Sequence, residues 1–130
     1  MKKQAIVKQK NLNTQDKSIM YKGTINYVHT DSCTSLSYLE YDGSAEVSVE
    51  ASDNMLMIRR KSDVSSELCF VCNELTQGTL MTEFGIIEIE INTHKYIRKD
   101  KTIAIEYDIL QNGMILESYR IIWDIKEETK

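Results

Sequence analysis

The sequence predicts an all-β fold: an antiparallel up-and-down barrel of about eight to ten strands with at most one short helical turn. Three observations carry this. Apolar residues recur with period two along most of the chain, as on half-buried strands. Turn-forming residues fall between these runs every 8–12 residues or so, the spacing of a sandwich or barrel. The chain has no proline at all, which suits strands that must each donate to a ladder.

Several runs show the alternation most clearly. Ala45, Val47, Val49 and Ala51 alternate with Glu46, Ser48 and Glu50; Val64, Ser66, Leu68, Phe70 and Cys72 share one face; and Ile87, Ile89 and Ile91 oppose Glu88, Glu90 and Asn92. Further along, Ile103, Ile105, Tyr107 and Ile109 form another apolar face, and Ile115, Tyr119, Ile121 and Trp123 a last one, interrupted by Glu117. Each such face belongs against a dry interior. Less regular strands are expected near 3–10, 18–29 and 34–41, with a helix as the alternative over 3–20.

Asp42-Gly43 and Asn112-Gly113 are the two hairpin dipeptides, because both readily take the positive φ that type I′ turns require. Ser52-Asp53-Asn54 and Lys61-Ser62-Asp63 read as further turns, and Gln77-Gly78 as a bend or bulge. The segment HKYIRKD, around 95–100, is the place for a short helical turn or a longer loop.

A chain of 130 residues fits a single domain, 1–130, and can bury a core without disulfides or metal. Hydrophobic residues make up 42% and charged residues 28%, ordinary for a globular domain. The net charge of −4 lacks the overall positive field of a nucleic-acid-binding protein or of one drawn to anionic membranes. No apolar run reaches the roughly 20 residues of a membrane span. The basic start, MKKQAIVKQKNLN, has no apolar stretch behind it and is not a signal peptide. Three cysteines, Cys33, Cys69 and Cys72, make no disulfide framework, and the expected location is the cytoplasm.

The candidate chemical motifs are sparse. Cys69 and Cys72 have the CxxC spacing of a redox or metal pair, but on a strand that spacing sends them to opposite faces. His29 and His94 lack companions at metal-ligand spacing and read as strand-end residues; a haem-type axial role for one of them is the outlying alternative. The carboxylates of EIEIN and AEVSVEA fall on solvent faces by parity, where a raised acid–base pKa is not available. No GxSxG, P-loop, GxGxxG or HExxH pattern occurs. No cofactor is expected.

The run NMLMIRRK is apolar on both faces before its arginines. Either Arg59 or Arg60 therefore points inward, where it must be paired or must meet a ligand's anionic group. The plainer reading is a strand-end arginine at the barrel rim. Tyr107, Tyr119 and Trp123 fall on inward positions, as core or as the lining of a pocket.

The stretch MIRRKSDVSSELCFVCNELTQGTLMTEFGIIEIEINT resembles the YwiB-like family of small bacterial proteins. The matching residues are Ile58 to Val64, Phe70, Gly78-Thr79, Thr82 to Gly85 and Glu106 to Gly113, in the family's order and spacing. Ser62 stands where the family's turn usually has glycine, and Glu83 where it has proline. The resemblance implies a calycin-like barrel, similar in shape to lipocalins, without an established activity. It singles out Arg60, Thr82, Phe84 and Gly85, with Gly85 serving backbone conformation and the others at a barrel mouth.

Two functions follow as expectations. The first is non-enzymatic binding of a small apolar or amphipathic molecule, with Arg60, Thr82, Phe84, Tyr107, Tyr119 and Trp123 as ligand-binding candidates and Arg60 meeting an anionic head. The second is a protein-interaction or structural module with a side-chain-filled barrel, as a homodimer. An enzyme would have to draw on an inward acid, Glu67 or Glu117 being the least ill-placed.

Overall fold

The computed structural model describes residues 1–40, 43 and 45–127. Ten strands follow one another: β1 (Lys2–Asn11), β2 (Lys17–His29), β3 (Cys33–Leu39), β4 (Glu46–Ser52), β5 (Met55–Lys61), β6 (Ser65–Val71), β7 (Leu75–Thr82), β8 (Gly85–Lys99), β9 (Thr102–Gln111) and β10 (Met114–Lys126). Each pairs antiparallel with its chain neighbour, and β1 pairs with β10 from Gln4↔Lys126 to Asn11↔Tyr119, closing an up-and-down barrel. Closure gives the first and last strands a partner each and leaves no free sheet edge along their paired lengths. No helix occurs among the described residues, so the helical alternative for 3–20 gives way to β1 and the start of β2.

The turns form where the residues permit them. Asn112 and Gly113 take φ of 53° and 78° in the β9–β10 hairpin. Gly43 takes φ of 70°; Asp42, its expected turn partner, lies outside the described residues. Two expectations need correction. HKYIRKD is neither helix nor loop, because β8 runs through it with a register shift between Thr93 and Lys95. The extra residue, His94, swaps the phase, so that Tyr96 and Arg98 continue the inward row that Ile91 and Thr93 began. Gln77-Gly78 is not a bulge either, since β7 keeps continuous register with both neighbours there. Gly78 instead provides clearance: a Cβ on it would lie 2.6 Å from Leu68 Cδ2 and 3.1 Å from Ile91 Cδ1.

A ten-stranded barrel is wider than the eight-stranded kind that side chains just fill. The interior is accordingly packed with large residues. Trp123, Phe70, Ile25, Leu56, Ile91, Ile103 and Ile105 are almost wholly removed from water, each such side chain contributing about 1.5–3 kcal/mol of hydrophobic stabilisation. Phe70 meets Tyr107 edge-on at 4.8 Å, and Tyr21 stacks on Tyr38 at 4.2 Å.

The two ends differ. At the end carrying the β2–β3, β4–β5, β6–β7 and β8–β9 connections, Arg98 reaches across the interior. Its guanidinium donates to Asp31 O at 2.8 Å, Thr30 O at 3.3 Å, Thr34 Oγ1 at 3.1 Å and the Asp53 carboxylate. Tyr96 Oη donates to Ser52 O. These contacts tie three elements together and cap that end. The other end, carrying the β1–β2, β3–β4, β5–β6, β7–β8 and β9–β10 connections, has polar inward positions: Gln9 and Asn11 on β1, Arg60 on β5, Ser66 on β6 and Glu117 on β10.

Candidate functional site: the open mouth of the barrel

Alternation along β5 places Leu56, Ile58 and Arg60 inward, opposite Ala51, Val49 and Val47 of β4. Arg60 is thus the inward arginine. Arg59 lies outside, 3.6 Å from Glu67 of β6. Arg60 reaches the rim, as its strand-end position suggested, and there it is paired. Its Nε donates to Glu40 Oε1 at 2.9 Å and its Nη2 to Glu40 Oε2 at 3.1 Å, while Nη1 donates to Ser62 Oγ at 3.0 Å. Such a two-pronged match is the strongest arginine–carboxylate geometry. Glu40 is held for it by the turn after β3, where its N–H donates to Ala45 O and its carbonyl accepts from Gly43 N–H.

Beneath this pair lies a half-open cavity of ≈170 Å³, lined among others by Tyr38, Ile58, Leu68, Tyr107, Ile121 and Trp123. Burial pushes the Tyr38 phenol up to about 12. The Trp123 indole N–H opposes that rise from close by, although it stays outside hydrogen-bond geometry and has no partner among the described residues. Burial, and then the nearby Tyr119 phenol, also push Tyr107 upward. The cavity wall therefore presents neutral hydroxyls among apolar groups, beneath a rim where Glu40 pairs with Arg60.

Of the residues the sequence singled out, Arg60, Tyr107 and Trp123 meet at this cavity. Tyr119 stands behind Tyr107, with ring centroids 5.9 Å apart. Thr82 and Phe84 lie at the same end of the barrel, in the β7–β8 turn, but do not line the cavity. Thr82 Oγ1 accepts from Phe84 N–H and donates to Gly85 O, both at 3.1 Å, and the Phe84 side chain is 91% exposed. Gly85 takes φ of 129°, consistent with a backbone role. Glu67 is on the outer wall, whereas Glu117 faces inward and accepts from Asn11 Nδ2 at 3.0 Å. Its inward position follows from alternation with Tyr119 and Ile121, as expected, whereas the register shift between Ile115 and Glu117 turns Ile115 outward, contrary to its expected place on their face.

Glu40 and Tyr38 were legible by parity from the inward Leu36 but carried no motif. His94 has a companion that sequence spacing did not reveal: its Nε2 lies 2.6 Å from Asp108 Oδ2, and Ser118 Oγ donates to Asp108 Oδ1 at 2.6 Å. The carboxylate sits between the histidine and the serine, so the imidazole does not contact the hydroxyl, the reverse of the order in which a histidine activates a serine nucleophile. Among the described residues, no group of three or more His, Cys, Asp or Glu could hold a metal ion. Cys33, Cys69 and Cys72 are free thiols, and burial raises Cys69.

No curated protein matches the chain. In architecture the chain is similar to the ywiB protein from Bacillus subtilis, known from a crystal structure. The TM-score is 0.77 at 18% sequence identity, covering 98% of this chain and 92% of that one. That likeness concerns the fold, and it agrees with the resemblance carried by residues 58–113. A family model matches residues 3–122, and the chain belongs to that family, the domain of unknown function DUF1934.

Proposed function

We propose that the protein is a non-enzymatic binder of a small amphipathic molecule at the open mouth. The observation that carries this reading is the buried Trp123 indole N–H, 2% exposed and without an acceptor in hydrogen-bond geometry among the described residues, in the wall of a cavity. A buried donor left unpaired costs about 1–3 kcal/mol, which a ligand acceptor would recover. The cavity volume of ≈170 Å³ falls below the roughly 300 Å³ at which drug-sized sites begin, so the ligand is small. Because Glu40 occupies the fork of Arg60, the favoured head is an alcohol, amide or zwitterion that bonds to a neutralised pair. An isolated carboxylate would have to displace Glu40. The free cysteines accord with a reducing, cytoplasmic setting.

Trp123 is the one tryptophan of the chain, so its emission reports on the cavity directly. Native mass spectrometry of the freshly purified protein is expected to show a small adduct that leaves on denaturation. Titration with 1-hexanol is expected to shift Trp123 emission saturably, and with hexanoate more weakly. Absence of both an adduct and an emission change would count decisively against the binder.

A second reading, an interaction module that dimerises, has its own observation. β9 pairs with β8 only from Glu90 onward, so Gly85–Ile89 leave an open edge beside the exposed Phe84 and Ile86. A dimer series in the same mass spectrum, without any adduct, would favour it.

A further inference from the structure

Outside the barrel, the β1–β2 and β1–β10 registers assemble a small array of side chains that the mouth does not use. Lys10 stands directly opposite Lys17 on one neighbour and Arg120 on the other. One pair further along, Lys8 stands between Ile19 and Ile122. Three cations in a row across three strands, over a second row of isoleucine, lysine and isoleucine, line a groove of ≈460 Å³. Like charges directly opposite on a sheet destabilise it. Part of the charge is compensated, since Arg120 lies 3.3 Å from Glu106 and Lys8 3.8 Å from Asp124. Among the described residues, no carboxylate pairs with Lys10 or Lys17. Two uncompensated positive charges thus face each other across one strand pair, beside Ile19, which is 59% exposed.

We propose that this groove binds a phosphate monoester with an apolar body. The charge matches: a phosphate monoester carries about −1.5 to −2 at neutral pH, against the two free ammonium groups of Lys10 and Lys17. Flexible lysine stems can converge on one compact dianion as point charges. A single carboxylate would leave one lysine unanswered. Ile19 and Ile122 offer a floor for the apolar part, which inorganic phosphate would not use. The array is one row of cations three strands wide, too short a track for a polyanion.

The test is a titration with phenyl phosphate followed by backbone amide NMR. Saturable shifts are expected at Lys8, Lys10, Lys17, Ile19, Arg120 and Ile122, with inorganic phosphate binding more weakly. Lys10→Met and Lys17→Glu are each expected to reduce affinity about tenfold or more. Lys17→Glu should at the same time raise the melting temperature, because it turns a like-charge cross-strand pair into an opposite-charge one; the rise also certifies that the variant folds. Co-sedimentation with vesicles of phosphatidic acid in phosphatidylcholine, but not with phosphatidylcholine alone, would assign the ester to a lipid. Phenyl phosphate binding without sedimentation would assign it to a soluble molecule. Shifts that scatter over all lysines without saturating, or affinity that survives both substitutions, would overturn the proposal. So would shifts at these amides that follow protein concentration instead of phenyl phosphate, since a second copy would then occupy the groove.

Discussion

Arg98→Ala should open the closed end of the barrel. The Arg98 side chain is 7% exposed and donates to two main-chain carbonyls, the Thr34 hydroxyl and the Asp53 carboxylate. Hydrogen bonds from a charged group contribute about 1.5–3 kcal/mol each, but those on one guanidinium do not add. Removing the guanidinium also relieves its own burial, and its Nε already lacks a partner among the described residues. The net loss expected is about 3 kcal/mol, the lower end for breaking a buried charged contact. For a domain of this size that lowers the melting temperature by roughly 10 °C. The structure also says which contact matters. Asp53 is 83% exposed, so Asp53→Ala should lose less than about 1 kcal/mol. Urea unfolding followed by Trp123 emission measures both variants. A loss below about 1 kcal/mol for Arg98→Ala, or equal losses for the two, would refute the view that the carbonyl contacts close this end.

Two further outcomes follow from the interior. Thr93 Oγ1 is buried without a hydrogen-bond partner among the described residues, so Thr93→Val should stabilise the fold by about 1 kcal/mol in the same assay; a loss of that size would reveal a partner for the hydroxyl. Burial holds the phenols of Tyr38 and Tyr96 at about 12, and also raises Tyr107. Raised phenols favour folding in their neutral form. Their contribution is whole below the unfolded value of about 10 and is lost as pH rises through about 12. Absorbance at alkaline pH should therefore show a late group of tyrosines that ionise together with the loss of near-ultraviolet dichroism. Complete ionisation near pH 10 with dichroism intact would contradict the packing.

Much of the fold was legible because alternation is a local property. The inward rows of β4, β8 and β9 follow from Val47-x-Val49, Ile89-x-Ile91 and Ile103-x-Ile105, and Asn112-Gly113 marks its hairpin. Two of the misreadings share one cause. His94 in β8 and Leu116 in β10 lie at register shifts, and an added residue reverses every inside–outside assignment until the next shift. HKYIRKD thus lost its apparent strand pattern, and Ile115 was placed on the wrong face. At the mouth, parity could carry Arg60 inward from Leu56, but the sequence left Arg59 and Arg60 open because Met55, Leu56, Met57 and Ile58 are all apolar.

By itself, the sequence determined that this chain makes antiparallel strands with apolar inner faces, joined by short turns, because side-chain direction and turn chemistry depend on neighbouring residues. Tertiary structure alone decided the rest. Closure joins β1 to β10 from opposite ends of the chain, and Glu40 reaches Arg60 across 20 positions. Lys10 comes to lie between Lys17 and Arg120 through registers on both of its sides. Girth, the capped end and the open mouth depend on how many strands close and in what register, which is set by the packing of all ten strands together.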